Sequence, residues 1–195
     1  MPSVYAIEGL DRLGKSTLID GIKQREGFFQ VIHFGKPEIL KVYEEAAERW
    51  NKEFEGQGQS RNGAYLYQRA SFSHSMILAQ SGASIIFDRW HLGEAVYAPL
   101  YRGYSGDYVF ELERVHQLND SLVRLILLVE DFDRSKHFVS DGESFDDTKR
   151  RDEQELFVAA FNRSIILDKR MICVTARDGS FRSRDEILSE ALHDR

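Results

Sequence analysis

The chain has 195 residues, 42% of them apolar and 30% charged, which excludes a disordered, collagen-like or fibrous protein and suits one globular domain with a substantial core. Its formal charge of −6 argues against a broad basic surface gripping nucleic-acid phosphates, while leaving room for a local basic pocket. The single cysteine, Cys173, excludes an intrachain disulfide and a multi-cysteine zinc site; with no signal-peptide pattern and no run of about 18 apolar residues, a cytoplasmic protein without a membrane span is expected.

Short β-branched runs alternate with longer helical patterns along the chain, the mark of βαβ units and a parallel sheet covered on both faces. A first strand is predicted at 4–7, followed by a glycine-containing loop and a helix at 15–25. A second strand at 30–34 leads to a helix at 37–53, where Pro37 suits the first turn because it has no N–H to leave unpaired. Ile39, Leu40, Tyr43, Ala46, Ala47 and Trp50 recur there at helical spacing. The polar stretch 56–60 reads as a loop before a long helix at 63–80, which stops at Ser81-Gly82. Strands follow at 84–87 and 122–129, with a helix at 107–119 between them. The acidic, turn-rich segment 140–147 reads as a loop within a lid placed at about 134–151. A helix at 153–168, a last strand at 171–175 and a helix at 183–193 complete the pattern. The expected architecture is a single α/β domain over residues 1–195, three layers built on a five-stranded parallel sheet.

Residues Gly9-Leu10-Asp11-Arg12-Leu13-Gly14-Lys15-Ser16 satisfy G-x-x-x-x-G-K-[ST], with Thr17 next, and they lie between a strand and a helix as that pattern requires. The glycines let backbone N–H groups curl around a phosphate, and the helix start presents the positive end of its dipole to the same anion. Lys15 is then expected on the β- and γ-phosphates of ATP, and the Ser16 hydroxyl on Mg2+. Strand 84–87 runs into Asp88-Arg89, which fixes a carboxylate and a guanidinium at the C-terminal edge of the sheet, where open α/β sheets bind ligands. Asp88 suits magnesium or its waters, and Arg89 suits a bidentate clamp on phosphate. Together these residues point to phosphoryl transfer on a P-loop kinase fold, which needs positioning and charge stabilisation more than covalent help.

On these motifs the chain resembles the thymidylate kinase family of nucleoside monophosphate kinases. Gly9 to Thr17 is similar to that family's phosphate loop, which implies that Asp11 contacts the 3′-hydroxyl of a deoxyribose and Arg12 the transferring phosphoryl group. Asp88-Arg89-Trp90 resembles the family's Asp-Arg-aromatic motif, so Arg89 is implied to hold the acceptor monophosphate. Tyr97 falls where the family sets an aromatic against the sugar, and Tyr65-Leu66-Tyr67-Gln68-Arg69 resembles the segment that stacks on and reads the base through Tyr65 and Arg69. Arg150 and Arg151 resemble the closing end of the lid over ATP, and Arg177 follows the last strand where adenine is held. The resemblance implies Mg2+ as cofactor, ATP and a small dTMP-like deoxynucleotide as substrates, and a homodimer.

The chain departs from the family pattern on the acceptor side. Phe34-Gly35-Lys36-Pro37-Glu38 lacks the family's arginine, Gly93 stands in place of a serine, and Tyr101-Arg102-Gly103-Tyr104 adds an aromatic and basic patch. A kinase for a nucleoside, or for a modified base within DNA, therefore stays open. Glu8 or Glu38 is the carboxylate for a hydroxyl acceptor in that case, and Tyr101 to Tyr104 the surface for a polymer. A nucleotide-binding protein that transfers nothing is the remaining alternative.

Overall fold

The computed structural model describes residues 4–27, 29–34, 59–102, 104–120, 123–135 and 147–193. Five parallel strands form one sheet in the order β2-β3-β1-β4-β5. They are β1 (Val4–Gly9), β2 (Gln30–His33), β3 (Ile85–Asp88), β4 (Val123–Val129) and β5 (Asp168–Cys173). The central strand β1 is buried along its whole length, with Val4 opposite Ile85 on one side and Val123 on the other. Runs of β-branched and aliphatic residues suit a strand buried on both faces, which is why β1 and β4 stand out in the sequence.

The helices are α1 (Lys15–Glu26), α2 (Gln59–Gln80), α3 (Leu92–Tyr97), α4 (Tyr108–Val115), α5 (Arg150–Arg163) and α6 (Arg184–Leu192). The connection from β1 runs outward to β2, whereas those from β2, β3 and β4 run the other way across the sheet. Right-handed crossovers therefore put α1 on one face and α2 to α5 on the opposite one. On the first face α1 packs against α6, where a Cβ on Gly21 would lie 3.1 Å from both methyls of Leu188. Connections diverge between β1 and β4, so the phosphate loop opens at the topological switch point of the sheet.

Several predicted boundaries move, each for a local reason. The last strand starts at Asp168, not at residue 171, because Asp168 pairs with the buried Arg124 of β4 at 2.7 Å and hides the start of the strand behind charge. The helix predicted at 153–168 is α5, which ends at Arg163. There the side chain of Glu113 accepts from Ser164 Oγ at 2.6 Å and from the Ile165 N–H at 2.9 Å, drawing the chain out of the helix. The helix predicted at 107–119 breaks after Val115, with Gln117 in the left-handed region at φ 49°. Helix α3, extended by a wide π turn over Ala98–Arg102, is absent from the sequence reading. The predicted helix at 37–53 and most of the lid, residues 136–146, lie outside the described residues.

Candidate active site

Residues 9–14 form a loop closed by backbone geometry. Gly9 has φ 127°, and a Cβ there would lie 2.4 Å from the Leu128 carbonyl oxygen of β4, so only glycine fits. Gly14, at φ 82°, precedes α1 with no side-chain cap, which leaves the first N–H groups of α1 for a ligand. Lys15 is buried and folds back over the loop, donating to Gly9 O at 3.0 Å and Leu10 O at 2.5 Å, with the Asp11 carboxylate at 3.7 Å. Burial holds its ammonium down to about 8; Arg89 adds to the depression, and Asp11, Asp88 and Glu8 oppose it. Arg150, the first residue of α5, donates to Asp11 O at 3.1 Å and to Glu130 Oε1 at 3.0 and 2.6 Å, tying that helix to the loop.

Beside the loop, β3 delivers Asp88 and Arg89. Asp88 Oδ2 pairs with His33 Nδ1 at 2.9 Å, while its Oδ1 is buried without a hydrogen-bond partner. Arg89 sits at φ 58°, donates its N–H to Ile7 O at 2.9 Å, bonds the Asp11 carboxylate through Nη2, and keeps a buried Nε without a partner. Lys15, Ser16, Asp88 and Arg89 line one cleft against the phosphate loop. No group of three or more His, Cys, Asp or Glu side chains that could hold a metal exists among the described residues. The orphaned Asp88 oxygen and the Ser16 hydroxyl in the same cleft nevertheless fit a magnesium ion that takes its other oxygens from phosphate and water.

A second, more enclosed cavity adjoins the cleft, and Asp11 and Arg89 line both. Its aromatic wall is Phe34 stacked on Phe72 with centroids 5.5 Å apart, backed by Phe87 and Trp90 stacked at 4.6 Å. Trp90 is held by its indole N–H to Ser75 Oγ at 2.6 Å. On the far side lie Tyr97, Tyr101, Arg102 and Glu94. Burial, with Glu153 adding, pushes the Tyr97 phenol well above its usual range, so it stays a neutral hydroxyl. Glu94 is itself buried, and it accepts from Arg102 and from the Tyr104 and Tyr108 hydroxyls at 2.8 and 3.0 Å.

Asp11, Lys15, Ser16, Asp88 and Arg89 line the cleft, and Asp11, Arg89 and Tyr97 line the cavity. The structure does not bring Tyr65 and Arg69 to the cavity. Arg69 donates to Tyr65 OH at 2.7 Å, and the Tyr65 ring packs edge-on against Tyr104 and Tyr108 at 5.9 and 5.0 Å. Helix α2 turns Gln68 and Phe72 inward instead. Gln68, Phe72, Met76 and Ala79 form its buried stripe at helical spacing, the signal that would have found them. In the aromatic and basic patch, Arg102 is bound to Glu94 and Tyr101 to Glu153. Arg151 reaches outward to Asp133 at 2.9 Å. Arg177 sits in a hairpin whose far strand, through Phe181, approaches Gly14; Arg12, Gly14, Thr17 and Phe181 line a cleft there, and Arg177 does not.

No protein-family profile matches the chain, and no curated protein matches it by sequence. Solved structures do. The YorR protein of Bacillus subtilis, in complex with phosphorylated GDP, superposes with a TM-score of 0.60 at 14% identity, over 96% of this chain and 92% of that one. Thymidylate kinase of Candida albicans superposes with a TM-score of 0.54 at 19% identity, over 96% and 88%. The five-stranded parallel sheet with its phosphate loop is thus the fold of the P-loop kinases, thymidylate kinase among them.

Proposed function

We propose that this chain is an ATP-dependent nucleotide kinase of the thymidylate kinase type, moving the γ-phosphoryl group of ATP to a dTMP-like deoxynucleoside monophosphate. The supporting observation is that the phosphate-loop cleft and the enclosed cavity meet at Asp11 and Arg89, which line both. A donor in one and an acceptor in the other face each other across those two side chains. The buried, unpartnered Nε of Arg89 is a cation's donor awaiting an anion, as an acceptor phosphate would supply.

In this reading the backbone of residues 9–17, with Lys15 and Arg12, holds the ATP phosphates, and Arg151 and Arg177 belong to the ATP side. Ser16 and Asp88 hold Mg2+, which when bound neutralises charge on the phosphate oxygens. Arg89 orients the acceptor's phosphate, Asp11 the sugar 3′-hydroxyl, and Tyr97 closes the sugar pocket with its neutral phenol. The base lies toward Phe72 and Gln68, with Tyr65 and Arg69 behind them. No helix among the described residues is long and apolar enough to cross a membrane, and a cytoplasmic homodimer completes the proposal.

The test is incubation with ATP and Mg2+ against a panel of deoxynucleoside monophosphates, with ADP release and product mass as readouts. Conversion of dTMP or a close relative to the diphosphate is expected. Absence of any diphosphate across the panel would sink the monophosphate reading.

A further inference from the structure

Arg102 ends the π turn that extends α3 and lines the enclosed cavity, and the proposed transfer gives it no task. Its guanidinium donates through Nη1 to Glu94, whose side chain is 1% exposed against 19% for Arg102. The other carboxylate oxygen, Oε1, accepts from the Tyr104 and Tyr108 hydroxyls at 2.8 and 3.0 Å. Burial first, and Glu94 next, raise both phenols above their ordinary range, so they stay neutral donors. Burial works against the Arg102 cation, and Glu94 and Tyr104 outweigh it and raise its pKa. Arg102 is therefore a fixed cation, clamped by a buried carboxylate that two phenols hold in place.

Its place is the end of the cavity to which α2 delivers Gln68. Tyr65 lies one turn before Gln68, and its ring meets those of Tyr104 and Tyr108 at 5.9 and 5.0 Å. The stretch of α2 that bears Gln68 thus packs beside the Glu94 cluster. Gln68 and Arg102 both line the cavity, and the stacked Phe34 and Phe72 give it a flat wall. Asp11 and Arg89 mark the end that opens onto the phosphate-loop cleft.

The hydrogen-bonding groups left over decide what fits between them. A guanidinium is a planar fork of donors with no acceptor, and that of Arg102 reaches Glu94 and the Tyr104 hydroxyl and no other described residue. Both oxygens of Glu94 are engaged. Glu94 also neutralises Arg102, so the pair suits a neutral carbonyl better than a second phosphate. The unpaired carboxamide of Gln68 adds a donor and an acceptor side by side. Glu8 Oε2, the other acceptor in the wall, lies by Gly93 and Tyr97 on the sugar side. The complement of such an end is a base edge with a carbonyl beside a ring N–H, as thymine, uracil and guanine have. Cytosine and adenine put an amino group there, which sets donor against donor and leaves buried N–H groups unpaired. Stacking on an aromatic wall tolerates either ring size.

We propose that Arg102, clamped by Glu94, is a specificity-determining residue that selects acceptors whose base presents a carbonyl beside a ring N–H against those that present an amino group. This rests on the reading of the cavity as the acceptor site. The task falls to the π turn after α3, because Arg69 of α2 is turned to Tyr65.

The experiment uses dUMP and dCMP, which differ only in this edge, on wild type, Arg102→Lys and the double variant Arg102→Met/Glu94→Gln, which removes both charges together. Transfer is measured with ATP and Mg2+, and binding of each monophosphate alone by calorimetry. Wild type should favour dUMP over dCMP by about 100-fold in kcat/KM, and dGMP over dAMP. Arg102→Lys keeps the charge but loses the planar fork, and should cut the dUMP preference by about tenfold. The double variant should cut it by about 30-fold, with kcat/KM for dCMP within about threefold of wild type and the ATP KM unchanged. A merely structural loss lowers both acceptors together and leaves their ratio; thermal unfolding identifies it, and Arg102→Lys carries the comparison if the double variant does not fold. Equal use of the two acceptors by wild type, preference for dCMP, or an unchanged ratio in folded variants overturns the proposal and spares the proposed function. Transfer to no monophosphate overturns the proposed function, and calorimetry then decides this proposal: tighter binding of dUMP that the variants lose upholds it, and equal binding overturns it.

Discussion

The phosphate loop is one continuous segment whose shape is set mainly by backbone, whereas the cavity beside it is assembled from side chains of β1, α2, the turn after β3, α3 and α5. Gly9 and Gly14 hold the loop through φ 127° and φ 82°, and Lys15 closes it with bonds to two of its carbonyls. The cavity takes Glu8, Gln68, Arg89, Glu94 and Phe157 from positions far apart in the chain. In the proposed function the backbone cradle serves the partner that never changes, the triphosphate, and the wall of side chains, which can be altered residue by residue, serves the acceptor.

The sharpest way to break this contrast is to remove the one side chain on which the loop depends. Lys15→Ala should lower kcat by about 1000-fold or more while the protein stays folded, because the lost group is a buried ammonium that burial already disfavours. Steady-state kinetics with circular dichroism checks this; a variant with near-normal turnover removes the loop from the chemistry. Gly9→Ala attacks the backbone instead. Its Cβ would meet the Leu128 carbonyl at 2.4 Å, so a loss of about 3 kcal/mol in urea unfolding is expected. A loss under about 0.5 kcal/mol would mean the strand and loop adjust freely.

Protonation tests the same loop without ligands. Because the folded pKa of Lys15, about 8, lies below its unfolded value of 10.5, the unfolded chain binds more protons between those two pH values. Stability of the ligand-free protein should therefore rise with pH across that window, by roughly 2 kcal/mol from this group. The difference between wild type and Lys15→Met in urea titrations at pH 8 and 10 isolates it. Parallel pH dependence in the two proteins would place the Lys15 ammonium in water.

The same contrast explains what could be read from the sequence. Glycine, lysine and serine at fixed spacing after a β-branched strand define the loop because each position has one task, backbone for the glycines and side chain for the other two, and β1 and β4 declare themselves as apolar runs. Helix α3 stays hidden because the group that anchors its start, Glu8, comes from the far side of the phosphate loop in sequence. The start of β5 stays hidden because Asp168 owes its place to Arg124 in the next strand. On α2 the distinction is finer. One residue turns the helix by about 100°, so Gln68 enters the cavity and Arg69 leaves it. Local resemblance selects the right helix, and only the packing of the stripe through Phe72 and Met76 selects the face.

That last distinction yields the smallest and most specific effects. The Gln68 carboxamide is nearly buried, lines the cavity, and makes no hydrogen bond to a described residue. It offers a donor and an acceptor side by side, and its removal should raise the acceptor KM by about tenfold with the ATP KM unchanged, the loss expected for one hydrogen bond to a bound ligand. Arg69 bonds Tyr65 and approaches Glu111 at 4.0 Å, with 43% of its side chain exposed. Surface ion pairs of this kind contribute little, so Arg69→Ala should change the acceptor KM by less than about threefold. Parallel KM measurements on the two variants decide between neighbours: a larger effect at Arg69 would mean that α2 rotates when the acceptor binds, and that its ligand-free face is not the one that reads the base.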